Sequence, residues 1–195
     1  MPRYMRTLAL VLALAAPIVP GGTALGAECH KVAFPDSMKA GDAELVLNGL
    51  GLRKATMLSV KVYVAGLYLP EKSTDAGQIL GANQHWQLVL RFVRDVDAPD
   101  IRDAFEEGFE KAAGDKLDSL RQRIDSLNAQ IVDFKEGQYL SYDYDPATGT
   151  VIDVNGKTGG AIEGADFANA LLTISIGPEP PNEDLKSGLL GGACE

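Results

Sequence analysis

The stretch LNGLGLRKATMLSVKVYVAGLYL, residues 47–69, decides the fold of this chain. From Leu58 to Leu69 the side chains alternate with a period of two, which is typical of a β-strand rather than of a helix. The glycine-spaced segment just before it predicts a second, neighbouring strand. This two-strand unit places Arg53 and the phenol of Tyr63 in largely apolar surroundings.

Arg53 and Tyr63 form the first candidate site. A cation buried in apolar surroundings needs an anionic partner. If the two segments pair, the guanidinium and the Tyr63 hydroxyl approach the same point and offer a planar donor fork and a neutral donor to one carboxylate or enolate. Alternatively, Arg53 lies on a rim with its head group in water and Tyr63 belongs to the core. The sequence leaves both interpretations open.

The N-terminal residues have the pattern of a secretory signal peptide. Arg3 and Arg6 precede an uninterrupted apolar stretch from Leu8 to Ala16, and small residues then offer a cleavage site. We therefore expect a signal peptide at residues 1–26, a single domain at residues 27–195, and a periplasmic or secreted protein. The apolar stretch is too short for an ordinary transmembrane helix and no later segment is long enough, so we expect no stable membrane insertion.

The charge of the chain argues against nucleic acid as a partner. The sequence has 18 lysines and arginines against 27 aspartates and glutamates, which gives a formal net charge of −9. Without the predicted signal peptide the balance is 16 against 27 and the net charge is −11. Such an acidic protein binds polyanions and anionic membrane surfaces poorly.

Two patterns that would indicate known chemistry are incomplete. The sequence GKT at residues 156–158 is similar to the end of a phosphate-binding loop, but that pattern requires glycine where this chain has Val151. The chain has no G-x-S-x-G nucleophile elbow, and its only histidines are His30 and His85. We therefore expect neither a nucleotide-binding loop nor a serine hydrolase.

Both cysteines lie outside the predicted signal peptide, Cys29 near one end of the mature chain and Cys194 near the other. An oxidising compartment permits them to pair, and closing a loop of about 165 residues would stabilise the fold by roughly 5 kcal/mol. The alternatives are two free thiols or intermolecular bonds. The Cys/His spacing of a metal site is missing, so we expect no metal and no other cofactor.

The remaining periodicities predict a mixture of strands and helices. Predicted strands span Glu44–Lys54, Leu58–Leu69 and Trp86–Val96, followed by a hairpin of Gln138–Tyr144 and Thr150–Val154. Predicted helices span Ser73–Leu80 (capped by Ser73 or Thr74), Pro99–Ala113, Leu117–Phe134, Ala165–Ile174, and a last short one from a cap at Asn182 to Leu190. This order predicts an α+β fold, an antiparallel sheet with helices packed on one face.

Two runs of sequence carry a resemblance to a known family. The strand VKVYVAGLYL at residues 60–69, with the glycine-rich arginine segment before it, resembles the chalcone isomerase fold family. The run from Phe167 to Gly192 resembles that family's closing helices. The resemblance is closest to the bacterial, exported chalcone isomerase-like branch and covers the chain from about Phe34 onward. It implies an open-faced β-sandwich of chalcone isomerase type, with a ligand cleft between the large sheet and the helical layer.

The resemblance also implies where the chemistry of the isomerases has changed. Arg53 matches the family arginine, and Tyr63 falls where the plant isomerases carry a threonine. Ile101 falls about where a tyrosine orients the substrate ketone, Gly108 about where an asparagine sits, and Ile174 about where a second hydroxyl side chain contacts the substrate. Losing that many donors should cost several kcal/mol of barrier, so flavonoid isomerisation is not expected.

The pair that remains, an arginine with a tyrosine, is what the fatty-acid-binding relatives of the isomerases use to hold a carboxylate. We therefore predict a non-catalytic binder of a small amphipathic molecule, a carboxylic acid of fatty-acid type. Its predicted ligand-binding residues are Arg53, Tyr63, Ile101, Phe105, Gly108 and Ile174. One alternative is an intramolecular lyase or isomerase that acts on an enone or phenolic substrate through Arg53 and Tyr63. Another is a scaffold that pairs with an unidentified envelope protein through the Leu117–Phe134 face.

Overall fold

The structure, a computed structural model, describes residues 26–55 and 58–195. The signal peptide predicted at residues 1–26 therefore lies outside the described residues, except for Gly26. The main element is a seven-stranded antiparallel sheet in which every strand pairs with the next one along the chain. Helices pack against this sheet, and the α+β fold predicted from the sequence is confirmed.

The strands form one small hairpin and one large sheet. The hairpin pairs β1 (Ala27–Cys29) with β2 (Val32–Phe34). The sheet contains β3 (Ser37–Ala40), β4 (Ala43–Ala55), β5 (Val60–Leu69), β6 (Trp86–Phe92), β7 (Tyr139–Asp145), β8 (Gly149–Val154) and β9 (Lys157–Thr158). The helices are α1 (Ala76–Gly81), α2 (Ala98–Ala113), α3 (Leu117–Asn128), α4 (Ala165–Ile176) and α5 (Glu183–Leu189), with a short 3₁₀ turn at Gly114–Lys116.

The face of the sheet that carries the helices contains the main core. Leu67 of β5 and Leu90 of β6 are buried there together with Phe109 of α2, Ile124 of α3 and Phe167 of α4. Helices α2 and α3 both show an apolar face at helical spacing, and this is the face that they bury. The helical layer on one side of the sheet therefore follows from the amphipathic pattern of the sequence.

The β1–β2 hairpin covers the opposite, outer face of β4 and β5. Phe34 lies against Gly66, where a Cβ atom would come within 2.7 Å of the Phe34 ring. The Tyr68 hydroxyl donates to the Pro35 carbonyl oxygen at 3.0 Å. The glycine at position 66 thus leaves room for the hairpin on the sheet, which strand periodicity alone does not reveal.

Glycines in β4 let α5 lie directly on the backbone of that strand. A Cβ atom at Gly49 would be 2.1 Å from the Gly188 carbonyl oxygen, and one at Gly51 would be 2.2 Å from that of Leu185. In the same way, a Cβ atom at Gly188 would be 2.2 Å from the Leu50 carbonyl oxygen. The glycine-spaced sequence of β4 is therefore required for this helix–strand contact.

A disulfide joins Cys29 at the end of β1 to Cys194 in the C-terminal tail, with the two Cα atoms 6.0 Å apart. The predicted pairing is confirmed. Cys29 is buried in the same outer-face cluster as Phe34, and Cys194 packs against that cluster. The bond therefore fastens the hairpin and the C-terminal tail to each other on the outer face.

The helix predicted over Leu117–Phe134 is wrong in its last part. α3 ends at Asn128, and in the segment that follows Phe134 forms two backbone hydrogen bonds of 2.9 Å with Val96. Most of the apolar residues of the stretch are buried in the core, namely Leu120, Ile124, Leu127, Ile131 and Phe134. The face suggested as a contact for an envelope scaffold is therefore not available to another protein.

At two helix N-termini, the capping contacts differ from those predicted from the sequence. α1 is capped by Asp75, whose carboxylate accepts from the Gln78 N–H at 3.0 Å, so the prediction of Ser73 or Thr74 is wrong. Asn182 stands at the N-cap position of α5 as predicted, but its side chain forms no capping hydrogen bond with that helix.

Some strand bounds differ from the prediction. The strand predicted from Leu58 begins at Val60, and the strand predicted to reach Val96 ends at Phe92. The late hairpin is confirmed as β7–β8, with the Asp145 carboxylate accepting from a turn N–H. Strands β1, β2, β3 and β9 were not predicted because each is only two to four residues long and has no periodic pattern.

In the described ranges, no helix is long and apolar enough to span a membrane.

Candidate functional site

A cavity of about 550 Å³ lies between the sheet and helices α2 and α4. Such a volume is typical of small-molecule sites. Its lining includes all six residues predicted to bind a ligand, which are Arg53, Tyr63, Ile101, Phe105, Gly108 and Ile174. Further apolar lining comes from Ala55, Val60, Val62, Leu90, Phe92, Val96, Ala104, Pro180 and Pro181. The fold thus brings residues that are far apart in the sequence to one cavity.

Arg53 and Tyr63 lie directly opposite each other on the paired strands β4 and β5. The pairing shifts by one residue immediately after Arg53, which marks a β-bulge. Bulges often occur beside functional sites, where they re-aim a side chain. Here both Val62 and Tyr63 line the cavity although they are sequence neighbours. The alternation predicted for this strand therefore holds only from Tyr63 to Leu69.

The guanidinium of Arg53 forms no ion pair with any residue that the structure describes. The residue is half-buried. Its Nη1 donates to the carbonyl oxygen of its own neighbour, Lys54. Because a guanidinium carries five N–H donors, most of the fork remains available to a ligand in the cavity.

Tyr63 supplies a neutral donor next to this cation. Burial raises the pKa of its hydroxyl above the ordinary value, and the Arg53 guanidinium opposes that shift only in part. The ring packs edge-on against Phe92, with the centroids 5.9 Å apart. Since the structure records no hydrogen bond from this hydroxyl to another described residue, the protonated phenol can donate into the cavity.

The wall opposite the sheet is apolar. Ile101, Phe105 and Gly108 share one face of α2, and Ile174 approaches them from α4. A Cβ atom at Gly108 would lie 2.8 Å from Cγ2 of Ile174, so Ile174 occupies the space that a larger residue at position 108 would need. Gly108 and Ile174, two of the positions at which the sequence departs from the isomerase pattern, are therefore packed against each other. None of the four residues of this wall offers a side-chain hydrogen-bond donor.

The other charged residues of the lining are exposed and form the rim of the cavity. They are Arg94, Asp95, Asp97, Asp100, Glu107, Lys111 and Glu179. Lys111 Nζ lies 2.6 Å from Glu107 Oε1, and this hydrogen bond lowers the pKa of the glutamate. Carboxylates outnumber cations on this rim, so long-range attraction does not favour an anion. An anionic ligand would need a short, desolvated contact with Arg53 inside.

Sequence reasoning missed part of this lining. Leu90 and Phe92 belong to the strand predicted at Trp86–Val96, but the strand pattern did not reveal that they border a cavity. Pro180 and Pro181 stand between the last two predicted helices, where no site residue was predicted. Contacts of this kind join distant segments, and the periodicity of a single segment carries no signal for them.

The site combines one guanidinium, one phenol hydroxyl and an apolar interior. This combination can hold a carboxylate or stabilise an enolate through charge-assisted hydrogen bonds. Among the residues that the structure describes, no three histidines, cysteines or acidic residues come together in a way that could hold a metal ion.

Comparisons with known proteins agree with this picture of the fold. The sequence profile of a family described as chalcone isomerase-like matches residues 26–191. Among solved structures, a fatty-acid-binding protein of Arabidopsis thaliana aligns with a TM-score of 0.64 and 22% identity, over 82% of this chain and 92% of the plant protein. At this identity the likeness shows a shared fold. No curated protein matches the sequence.

Proposed function

Because the chain belongs to the chalcone isomerase-like family, we propose that it is a non-catalytic binder of a small amphipathic acid of fatty-acid type. In this proposal Arg53 and Tyr63 hold the carboxylate, and the apolar part of the cavity holds the chain. The observation that carries the proposal is the half-buried Arg53, which lines the cavity beside a phenol donor and an apolar interior and forms no ion pair with a described residue. The plant protein of the same fold is itself a fatty-acid-binding protein.

The energetics of such a site favour an acid with a long apolar chain. A hydrogen bond to a charged group contributes about 1.5–3 kcal/mol, more than a neutral one. Each methylene that leaves water for the wall around Phe92, Ile101 and Phe105 adds about 0.8 kcal/mol. The head group therefore sets the orientation of the ligand, while the chain supplies much of its affinity.

Removing the charge of Arg53 should weaken acid binding more than any other change in the lining. We expect Arg53→Ala to weaken the binding of decanoic acid by about 1.5–3 kcal/mol, because the carboxylate loses its charged partner. Tyr63→Phe keeps the ring and deletes one donor, so it should cost nearer to about 1 kcal/mol. Isothermal titration calorimetry measures both effects.

Arg94 provides a matched control for this experiment. It is also an arginine of the cavity lining, but it is exposed on the rim and its Nε donates to the Asp95 carbonyl oxygen. Arg94→Ala should therefore change the affinity by less than about 1 kcal/mol, as is usual for exposed charges. If Arg53→Ala bound decanoic acid like the parent protein, Arg53 would be only a rim residue.

We also infer that the protein works outside the cytoplasm, in a periplasm or in the extracellular space, as a single domain of residues 27–195. Disulfides persist in oxidising compartments and are rare in the cytosol, and the Cys29–Cys194 bond fits such a location. The signal-peptide pattern of residues 1–26 supports the same inference.

A second candidate function is catalysis as an intramolecular lyase, because the chalcone isomerase-like family includes isomerases as well as binders. The same Arg53–Tyr63 pair would then stabilise an enolate formed from an enone or phenolic substrate. The observation against flavonoid substrates is the wall formed by Ile101, Gly108 and Ile174, which presents no side-chain donor to a ketone or to a ring hydroxyl.

Chalcone cyclisation should therefore be no faster with the protein than in buffer. The loss of the chalcone absorbance band, followed with and without protein, measures the rate directly. Saturable turnover that disappears in Arg53→Ala would show instead that the enzyme function is the correct one, because only a bound and stabilised enolate would require the arginine.

A further inference from the structure

Asn182 occupies a helix-cap position without capping the helix. It stands at the N-cap of α5, where its side chain forms no hydrogen bond with that helix. Its amide is bound to β4 instead. Oδ1 accepts from the Lys54 N–H at 3.2 Å, and Nδ2 donates to the Leu52 carbonyl oxygen at 3.1 Å. These two backbone groups lie immediately on either side of Arg53.

At this part of β4, the Asn182 amide forms the hydrogen bonds that a neighbouring strand would form. Along a strand, the backbone groups of successive residues point to opposite sides. The bonds to Asn182 show that the Lys54 N–H and the Leu52 carbonyl face away from β5. On that side β3 pairs with β4 only over residues 43–46. One orientation of the Asn182 amide satisfies both the donor and the acceptor that are left there.

We propose that Asn182 is a positioning residue for Arg53: its amide fixes the backbone on both sides of the arginine and thereby aims the guanidinium into the cavity. This inference rests on the proposed function, in which Arg53 binds a carboxylate. Support of the backbone matters here because the pairing of β4 with β5 shifts register between Arg53 and Lys54, where Val62 of β5 is left out of the pairing. A ligand-binding side chain needs a fixed backbone if its hydrogen bonds are to keep their geometry.

An ion pair between side chains also joins β4 to α5, but it involves no backbone atom. Lys54 Nζ lies 2.7 Å from Asp184 Oδ2, and the Asp184 side chain is half exposed to solvent. An exposed ion pair of this kind contributes little to stability. It therefore offers a matched control, since breaking it disturbs the contact between α5 and β4 and leaves both amide hydrogen bonds in place.

The test is the ratio of the affinities for decanoic acid and methyl decanoate, measured by calorimetry on the full protein. The ratio reports what the guanidinium contributes, because the ester keeps the chain and loses the charge. Asn182→Ser keeps a favoured N-cap residue and removes the amide. We expect it to lower the acid-to-ester ratio roughly fivefold to tenfold, which is part of the energy of one charge-assisted hydrogen bond. The ester affinity should stay within about twofold, because the apolar wall is untouched.

The outcomes separate this inference from the proposed function. An unchanged ratio in Asn182→Ser, or an equal loss of acid and ester affinity, would overturn the positioning role. Asp184→Asn should leave the ratio as it is in the parent, and a loss as large as that of Asn182→Ser would also overturn it. A parent protein without any preference for the acid would instead refute the proposed function itself.

The unmodified protein gives an independent readout that needs no variant to fold. Hydrogen exchange of the Lys54 amide reports directly on the backbone bond to Asn182. If that bond supports the ligated arginine, the amide should exchange about fivefold more slowly with decanoic acid bound than with methyl decanoate bound, at matched saturation. Equal exchange rates in the two complexes would contradict the coupling between Asn182 and the head-group site.

Discussion

Replacing both cysteines by alanine is expected to lower the free energy of unfolding by about 5 kcal/mol, because the disulfide closes a loop with a sequence separation of 165. The open chain has many more unfolded conformations than the cross-linked one. Alanine is the suitable replacement, since Cys29 is buried in an apolar cluster where a serine hydroxyl would add a cost of its own. Urea denaturation of the oxidised parent and of the double variant measures the difference.

Reduction of the parent protein serves as the control for the cysteine variant. A reductant should destabilise the parent to about the level of the double variant and should leave the variant unchanged. Thiol titration of the denatured, unreduced parent should find no free sulfhydryl, as expected for a Cys29–Cys194 bond. Two free thiols per chain, or a loss of stability below about 1 kcal/mol, would contradict the role assigned to the bond.

Gly51→Ala is expected to destabilise the protein by about 3 kcal/mol, at the upper end of what overpacking usually costs. The new Cβ atom would lie 2.2 Å from the carbonyl oxygen of Leu185 and 3.0 Å from its Cα atom. These are backbone atoms, so no rotamer change relieves the clash and α5 as a whole must move. Because α5 begins next to Asn182, the same change should also disturb the backbone around Arg53.

Gly81→Ala is the matched control for this prediction. Gly81 is the last residue of α1, and no atom lies within 4 Å of the Cβ that alanine would add. Alanine is favoured over glycine in helices by up to about 1 kcal/mol. The control should therefore be neutral or slightly stabilising in the same denaturation experiment. If both glycine variants behaved alike, the contact between α5 and β4 would not depend on close backbone approach.

The parts of the fold that sequence could predict are those with a local, repeating signal. The alternation in β5 and the apolar spacing of α2 predicted these elements to within about two residues. The disulfide was predictable because the sequence has two cysteines and both lie outside the predicted signal peptide. Arg53 and Tyr63 were predicted to share a site on the condition that their segments pair, and β4 and β5 do pair at these two residues.

The parts that sequence did not predict depend on contacts between distant segments. Nothing in the local pattern places a bulge after Arg53, and the one-residue shift there changes which side chains of β5 face the cavity. α3 ends at Asn128, and the chain beyond it takes Phe134 to a backbone pairing with Val96 on a distant segment. Asn182 has the residue type of a helix cap, and only the structure shows that its amide binds β4.

The proposed function requires that Arg53 holds a carboxylate inside the cavity. Calorimetric titration of the parent protein with decanoic acid and with methyl decanoate, at a pH where the acid is ionised, tests it most directly. The two ligands share their chain, so their difference isolates the head group. We expect the acid to bind about 10- to 100-fold more tightly, the equivalent of one charge-assisted hydrogen bond. Equal affinities, or a tighter ester, would contradict the claim.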